Sequence, residues 1–513
     1  MTANRSTNVS GGREGGRYRF PPLVRAGFFG SMPRSQAIPL TIGAVIALVA
    51  VTAGAIVVGA VAVLAALTVA FVKVGALKLH EWLPLRAQFW RRRRNRVWFR
   101  TIPLLGTNGD RTPIDLPAAL TGLELFDVDA AWVNAPGRLA GLGVIVDRPA
   151  GLVTAVVRVA GDGQFSLSDP AEQDSRVGLW GEALSGFCRE GSPVARIGWS
   201  EWCTTATART RTPAAAGMPV VLDGSTDPIR RAEVSYQDLI GRAAPPAVTH
   251  DILLTVTVDV ARARLRRGTG TGLDARFHVL SDEVRMFVGR LESAGLRVDT
   301  PLSAVEITTA VRTRSDPATA SGVAGHLSSL AHAVGVSAGD LAPMAVNEDW
   351  TSCQIDGAIH RAYWVSGWPR RDVPAAWMDL LLLATGGTRT VSVVFEPVPP
   401  SRSDLDVQAD ATALDAAAGT RQKHGFRVRR KDTRKQSEVD EREGELVAGY
   451  GELRFAGFVH VTATTAGELD DAAADIEQTA AHVGVLLRAV DGRHGAGWVA
   501  GLPVGRTLTG RPR

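Results

Sequence analysis

Residues 37–72 constrain this chain more than any other stretch. These thirty-six residues carry no charge, and the nearest charges on either side are Arg34 and Lys73. An apolar run of about 18 residues or more matches the roughly 30 Å hydrocarbon core of a bilayer. At about 1.5 Å per residue, one straight helix of this run would reach roughly 54 Å, too long for a single span even when tilted. Small residues interrupt it at Thr52-Ala53-Gly54. The run therefore predicts a helical hairpin, with helices near 39–51 and 56–74, and the expectation is two transmembrane spans over 37–74. A cleaved signal peptide is the weaker alternative, because its apolar core is only about 7–15 residues and sits nearer the start. A single tilted span is the stronger rival, but it would put everything after Lys73 outside, against the Arg cluster.

The flanks orient the hairpin. Arg13, Arg17, Arg19, Arg25 and Arg34 precede it, and Lys73, Lys78, Arg86, Arg91, Arg92, Arg93, Arg94, Arg96 and Arg100 come after it. Basic residues near spans stay cytoplasmic, so both termini and the soluble domains are expected in the cytoplasm and the protein in the inner (plasma) membrane, multi-pass. Residues 1–100 hold fifteen Lys and Arg against Glu14 and Glu81, whereas the remainder is net −8. Such a basic collar predicts anionic lipid headgroups as partners, and nucleic acid is compatible but not required. Arg91, Arg92, Arg93, Arg94, Trp82, Trp90 and Trp98 are the expected membrane-surface contacts, since amphipathic rings favour the headgroup level.

Cys188, Cys203 and Cys353 are odd in number and widely spaced. They form no C-x-x-C pair, which argues against a disulfide framework or a zinc site and fits a reducing compartment. Residues 1–36 read as a disordered basic leader (over 1–20) and membrane approach, 75–142 as an interfacial helix and connector. From 143 the cadence is α+β, with two mostly antiparallel, sandwich-like domains at 143–315 and 347–513, a linker at 316–346, and a long polar helical arm at 401–447. Asp169-Pro170 marks a helix start, Ser281 reads as the cap of another helix, and residues 251–260 alternate as a half-buried strand. The two halves share a rhythm worth testing as a repeat.

No catalytic constellation emerges. Gly268-Thr269-Gly270-Thr271-Gly272 lacks the Lys-Ser/Thr that a phosphate loop needs. His326 and His332 lack a helical-face spacing for metal ligands. Neither cofactor nor metal nor enzyme activity is expected. The basic segment carrying Arg427, Arg429, Arg430 and Lys431 reads as a docking surface for an acidic partner, and its single aromatic, Phe426, argues against base stacking.

A resemblance adds to this. The strand residues His360-Arg361-Ala362-Tyr363-Trp364, then Trp368-Pro369, the run Val391-Ser392-Val393-Val394-Phe395-Glu396-Pro397, and Gly501-Leu502-Pro503-Val504-Gly505 resemble the amino-terminal, non-ATPase domain of the CagE/TrbE/VirB conjugative ATPases. The basic leader, hairpin and Glu81-Trp82-Leu83-Pro84 exit resemble PrgI-like small membrane proteins of conjugation systems. No Walker motif is present, so no nucleotide site carries over. The combination is similar to actinobacterial integral membrane proteins of type IV secretion-like clusters. It implies a non-catalytic, membrane-anchored, oligomeric structural subunit that docks a separate motor ATPase and other secretion subunits, with Trp364 and Trp368 as further docking candidates. The alternatives are an EccE-like core component of type VII secretion and a membrane-associated enzyme with an unrecognised site.

Overall fold

The structure is a computed structural model. It describes residues 2–3, 18–20, 34–75, 77–92, 96–100, 116–128, 141–160, 165–206, 247–267, 273–319, 338–383, 387–423 and 430–508. The chain is α+β, built on one antiparallel sheet of thirteen strands among the described residues.

The hairpin forms. Its helices are α1 (Arg34–Thr52) and α2 (Ile56–Phe71), joined through Gly54 at φ 76°. The expectation of two transmembrane spans is overturned: no helix among the described residues is long and apolar enough to cross a membrane. The physical reason is length. α1 has 19 residues but opens on the polar Arg34-Ser35-Gln36, and α2 has 16. About 24 Å of apolar helix remains in each, against a core of roughly 30 Å. The multi-pass inner-membrane placement rested on those spans and falls with them. The hairpin nevertheless leaves large apolar side chains open, including Leu48, Val57 and Leu64. Gln36 ties the base of the hairpin together, donating to the Ala70 carbonyl (3.2 Å) and accepting from Lys78 Nζ (2.8 Å).

Helix α3 (Leu79–Arg91) lays the hairpin against the sheet. Phe89 is buried edge-on to Trp350 (5.3 Å), and the Arg86 guanidinium lies 4.7 Å from the Trp350 ring. Strand β1 (Val97–Phe99) then joins the sheet edge.

The first half runs β2 (Leu123–Val128), β3 (Leu142–Asp147), β4 (Leu152–Ala160), α4 (Pro170–Ser185), β5 (Val194–Ala206), β6 (Ala247–Asp259), α5 (Leu273–Ser293), β7 (Arg297–Pro301) and α6 (Ala304–Ser315). The second runs β8 (Ala345–Glu348), β9 (Cys353–Ile355), β10 (Ala358–Gly367), a short helix Asp379–Leu383, β11 (Thr388–Val398), α7 (Pro400–Lys423), α8 (Arg430–Val447), β12 (Glu452–Ala463), α9 (Ala466–His482), β13 (Leu486–Ala489) and α10 (His494–Gly501). The strand order is β2-β3-β4-β6-β5-β11-β12-β10-β9-β8-β1, with β7 added to β4 and β13 to β10. Read inward from either end, it meets at the β5–β11 seam, where Ser200 pairs Ser392.

The halves match in detail. β6 pairs β4 and β5 as β12 pairs β10 and β11. Gly295 (φ 80°) ends α5 as Gly484 (φ 83°) ends α9, a left-handed position that suits glycine. Leu302 N donates to the Val156 carbonyl (2.8 Å) as Val490 N donates to the Ala362 carbonyl (3.0 Å). Thr154 Oγ1 meets Thr257 Oγ1 at 3.0 Å, and the equivalent pair, His360 Nδ1 and Thr462 Oγ1, is also 3.0 Å apart. The chain thus contains an internal structural repeat related by an approximate two-fold through the Ser200–Ser392 pair.

Helices cover both faces. α4 and α5 pack on one face of the first half through Leu184, Phe187, Leu280, Val284 and Phe287. α9 covers the same face of the second half through Leu469, Ala473 and Ile476. α6 and α10 lie on the opposite face, where Ile307, Val311, Trp498 and Val499 share one core. The ends of these two helices reach across the seam. The Ser315 carbonyl accepts from His360 Nε2 (2.7 Å), while Arg506 Nε donates to Asp147 (2.7 Å).

Several local expectations differ. Ser281 is inside α5 rather than at its cap. Helix α6 begins at Ala304, after strand β7, with Ser303 and Glu306 closing a capping box. Tyr18 and Phe20, expected in a disordered leader, are buried, because Phe20 stacks on Trp368 at 5.3 Å. Asp169 caps α4 as expected, accepting from Glu172 N (3.0 Å).

Candidate functional site

Strand alternation assembles one chemically unusual cluster. Glu201 and Cys203, two apart in β5, share a face, and His250 sits directly across from Cys203 in β6. His250 Nδ1 lies 2.6 Å from Glu201 Oε1 and 3.4 Å from Cys203 Sγ, and Sγ lies 3.9 Å from Glu201 Oε1. Glu201 and Cys203 are buried, and His250 keeps one edge open. On the other side of Cys203, in β11, stands Arg389. Its buried guanidinium donates to the carbonyls of Leu381 (3.1 Å) and Leu382 (2.5 Å). Burial pulls Arg389 below its ordinary range, against the Cys203 and Glu201 neighbours that raise it.

This arrangement is not a nucleophile–base–orienter triad. A triad spends the two imidazole nitrogens on different partners; here thiol and carboxylate both address Nδ1. Burial, followed by the Glu201 charge, pushes the Cys203 thiol up to about 12, so at neutral pH it holds its proton. What the three donors can do is converge on one point. They are the one such group of potential ligands among the described residues.

Cavities also lie elsewhere among the described residues. One of about 320 Å³ opens beneath α3, lined by Arg196, Trp364, Glu396, Phe458, Arg488 and Arg493. A more open one of about 520 Å³ at the start of α9 gathers Asp316, Glu468, Asp471 and Asp475. Hydrogen bonds from Thr464 and Thr465 hold the Glu468 carboxyl below its usual range.

No family model matches the chain, and no curated protein matches it.

The residues expected to make contacts are dispersed. Trp82 is edge-on to Trp350 at 6.2 Å, Trp98 packs at the rim of the core beside α10, and Trp90 is exposed. Arg91 and Arg92 are exposed at the end of α3, while Arg93 and Arg94 lie outside the described residues. Trp364 lines the smaller cavity. Trp368 is enclosed by Phe20, Trp377 and Phe455. Arg427 and Arg429 lie outside the described residues; Arg430 and Lys431 begin the backbone of α8. Among the described residues, the structure gathers these into no single site. It assembles instead Glu201, Cys203 and His250, which sequence reasoning missed. The local signal was a Glu-x-Cys in a strand. The decisive one, strand pairing across 47 residues, is not local.

Proposed function

We propose that this protein is a non-catalytic scaffold subunit of a secretion- or conjugation-type apparatus, which seats a separate motor ATPase. The observation that carries the reading is what projects from the shared sheet. The two halves fill each other's sheet, and among the described residues two unlike appendages leave that core. One is the α1–α2 hairpin, docked through α3 onto the second half and presenting open apolar side chains. The other is the α7–α8 arm, inserted between β11 and β12. Its base is fastened by Arg442, which donates to Asp410 (3.1 Å) and Glu452 (2.8 Å). A contiguous apolar surface of this kind marks an interaction site, and the occupant that fits a docking subunit is the apolar helical surface of a neighbouring subunit.

The test is a pull-down of the tagged full chain from its native host, with mass spectrometry, beside variants lacking the hairpin or the arm. Recovery of a conjugative-type ATPase with the full chain, and its loss when either appendage is removed, is the expected result. Recovery of type VII core components, no ATPase at all, or an ATPase retained equally by both deletions would overturn the reading. So would a hairpin that floats with lipid vesicles while binding no subunit.

A further inference from the structure

We infer that Glu201, Cys203 and His250 form a binding site for a single zinc-class divalent transition ion. This goes beyond the scaffold reading and does not depend on it. Zinc bonds to thiolate sulfur are about 2.3 Å, and to imidazole nitrogen or carboxylate oxygen about 2.0–2.2 Å. Tetrahedral angles then separate the donors by roughly 3.3–3.6 Å. The present separations of 3.4, 2.6 and 3.9 Å bracket that value. Only the carboxylate must swing outward, opening the 2.6 Å hydrogen bond between Nδ1 and Glu201. The ion takes the place of the bridging proton, the neutral imidazole then carries its proton on Nε2, and the Cys203 thiol releases its own to solvent. Thiolate and carboxylate together neutralise a divalent ion. Three protein ligands leave a fourth position, and the open edge of His250 gives it a route to the surface.

The internal repeat supplies an independent argument. The positions equivalent to Glu201, Cys203 and His250 are Val393, Phe395 and Phe455, with Phe395 paired to Phe455 as Cys203 is to His250. The fold is therefore satisfied by apolar side chains there. Burying a carboxylate, a thiol and an imidazole at the same place costs free energy that packing does not require. Donors of three different types, aimed at one point, are what a metal of intermediate softness selects.

The test uses the purified full chain, stripped with a chelator and titrated with Co²⁺. One equivalent should give visible tetrahedral bands and a thiolate-to-cobalt charge-transfer band, both removed by Zn²⁺. Cys203→Ala should abolish the charge-transfer band, Cys188→Ala and Cys353→Ala should keep it, and Glu201→Gln or His250→Ala should weaken binding by about tenfold or more. Absence of the band in wild type, or its persistence in Cys203→Ala, would overturn the proposal. If Cys203→Ala does not fold, X-ray absorption of zinc-loaded wild type decides instead. One sulfur near 2.3 Å beside nitrogen and oxygen neighbours supports the site, and a shell without sulfur overturns it.

Discussion

The two halves of the sheet have the same topology and opposite interiors. On the face under α6 and α10, the first half places Thr154 and Thr255 where the second places His360 and His460, and the second adds a buried His494 at the start of α10. On the other face the polarity reverses: the first half holds Glu201, Cys203 and His250 against the second half's Val393, Phe395 and Phe455. The lesson is that the ladder and the turn glycines fix the fold, while each buried polar group is an addition that needs partners of its own. His360 finds them in Thr462 and, across the seam, in the Ser315 carbonyl, and His460 in the Gly497 carbonyl (2.7 Å).

Acid should break the comparison most strongly. Burial lowers His360 and His460 to about 4 and His494 to about 3, against an ordinary value near 6.5. The unfolded chain therefore takes up these protons first. The stability they contribute is complete above about pH 6.5 and is lost as pH falls toward the folded values. Each histidine removes up to about 1.4 kcal/mol per pH unit in that window. Urea midpoints at pH 7, 6 and 5 should fall steeply, and hydrogen exchange should open β10, β12 and α10 before β3–β6. Giving the second half the first half's residues, with His360→Thr and His460→Thr, should flatten the profile. An unchanged profile in the folded double variant would refute the assignment.

Next comes the buried Arg314, whose guanidinium donates to Asp251 (2.9 Å), itself also bonded by Arg158 (2.9 Å). Burial alone would raise the Asp251 carboxyl, but the two guanidiniums outweigh it and hold it low. In the second half the equivalent of Asp251 is Ala456, and that of Arg158 is Trp364. Asp251→Ala should strand a buried cation and cost about 3–5 kcal/mol. Adding Arg314→Leu should recover much of that, measured by chemical unfolding. No recovery in the double variant would mean the pair does more than neutralise itself.

The smallest effect sharpens the likeness instead. Gly295→Ala and Gly484→Ala each force a side chain into a left-handed position. Each should cost about 1 kcal/mol, equally in the two halves, by the same unfolding measurement. A clear inequality would show that the two turns are not equivalent.

Part of this was legible in the sequence. The alternation of Ile252, Leu254, Val256 and Val258 announces β6, and Asp169-Pro170 announces α4, because strand faces and helix caps are local physics. The uncharged run announced a hairpin and its break. It did not announce the helix lengths, which depend on where Arg34 and Phe71 join or leave the helical ladder. The repeat was audible only as rhythm, since equivalent positions such as Cys203 and Phe395 share no chemistry. The ligand cluster was invisible for a related reason: pairing across the sheet, not spacing along the chain, makes neighbours of Cys203 and His250.

The crossing of α6 and α10 at the seam has one more consequence. Ser315 completes the hydrogen bonding of the second half, and Arg506 grips Asp147, Ala119 and Thr121 in the first. Cut between the halves, each fragment would lack a clasp held by the other and could close only by borrowing it from a second fragment. The molecule is in effect a dimer written as one chain. A true homodimer must carry two copies of every ion site and every buried histidine. Written as one chain, the same architecture can keep a single copy of each, on opposite sides of its axis.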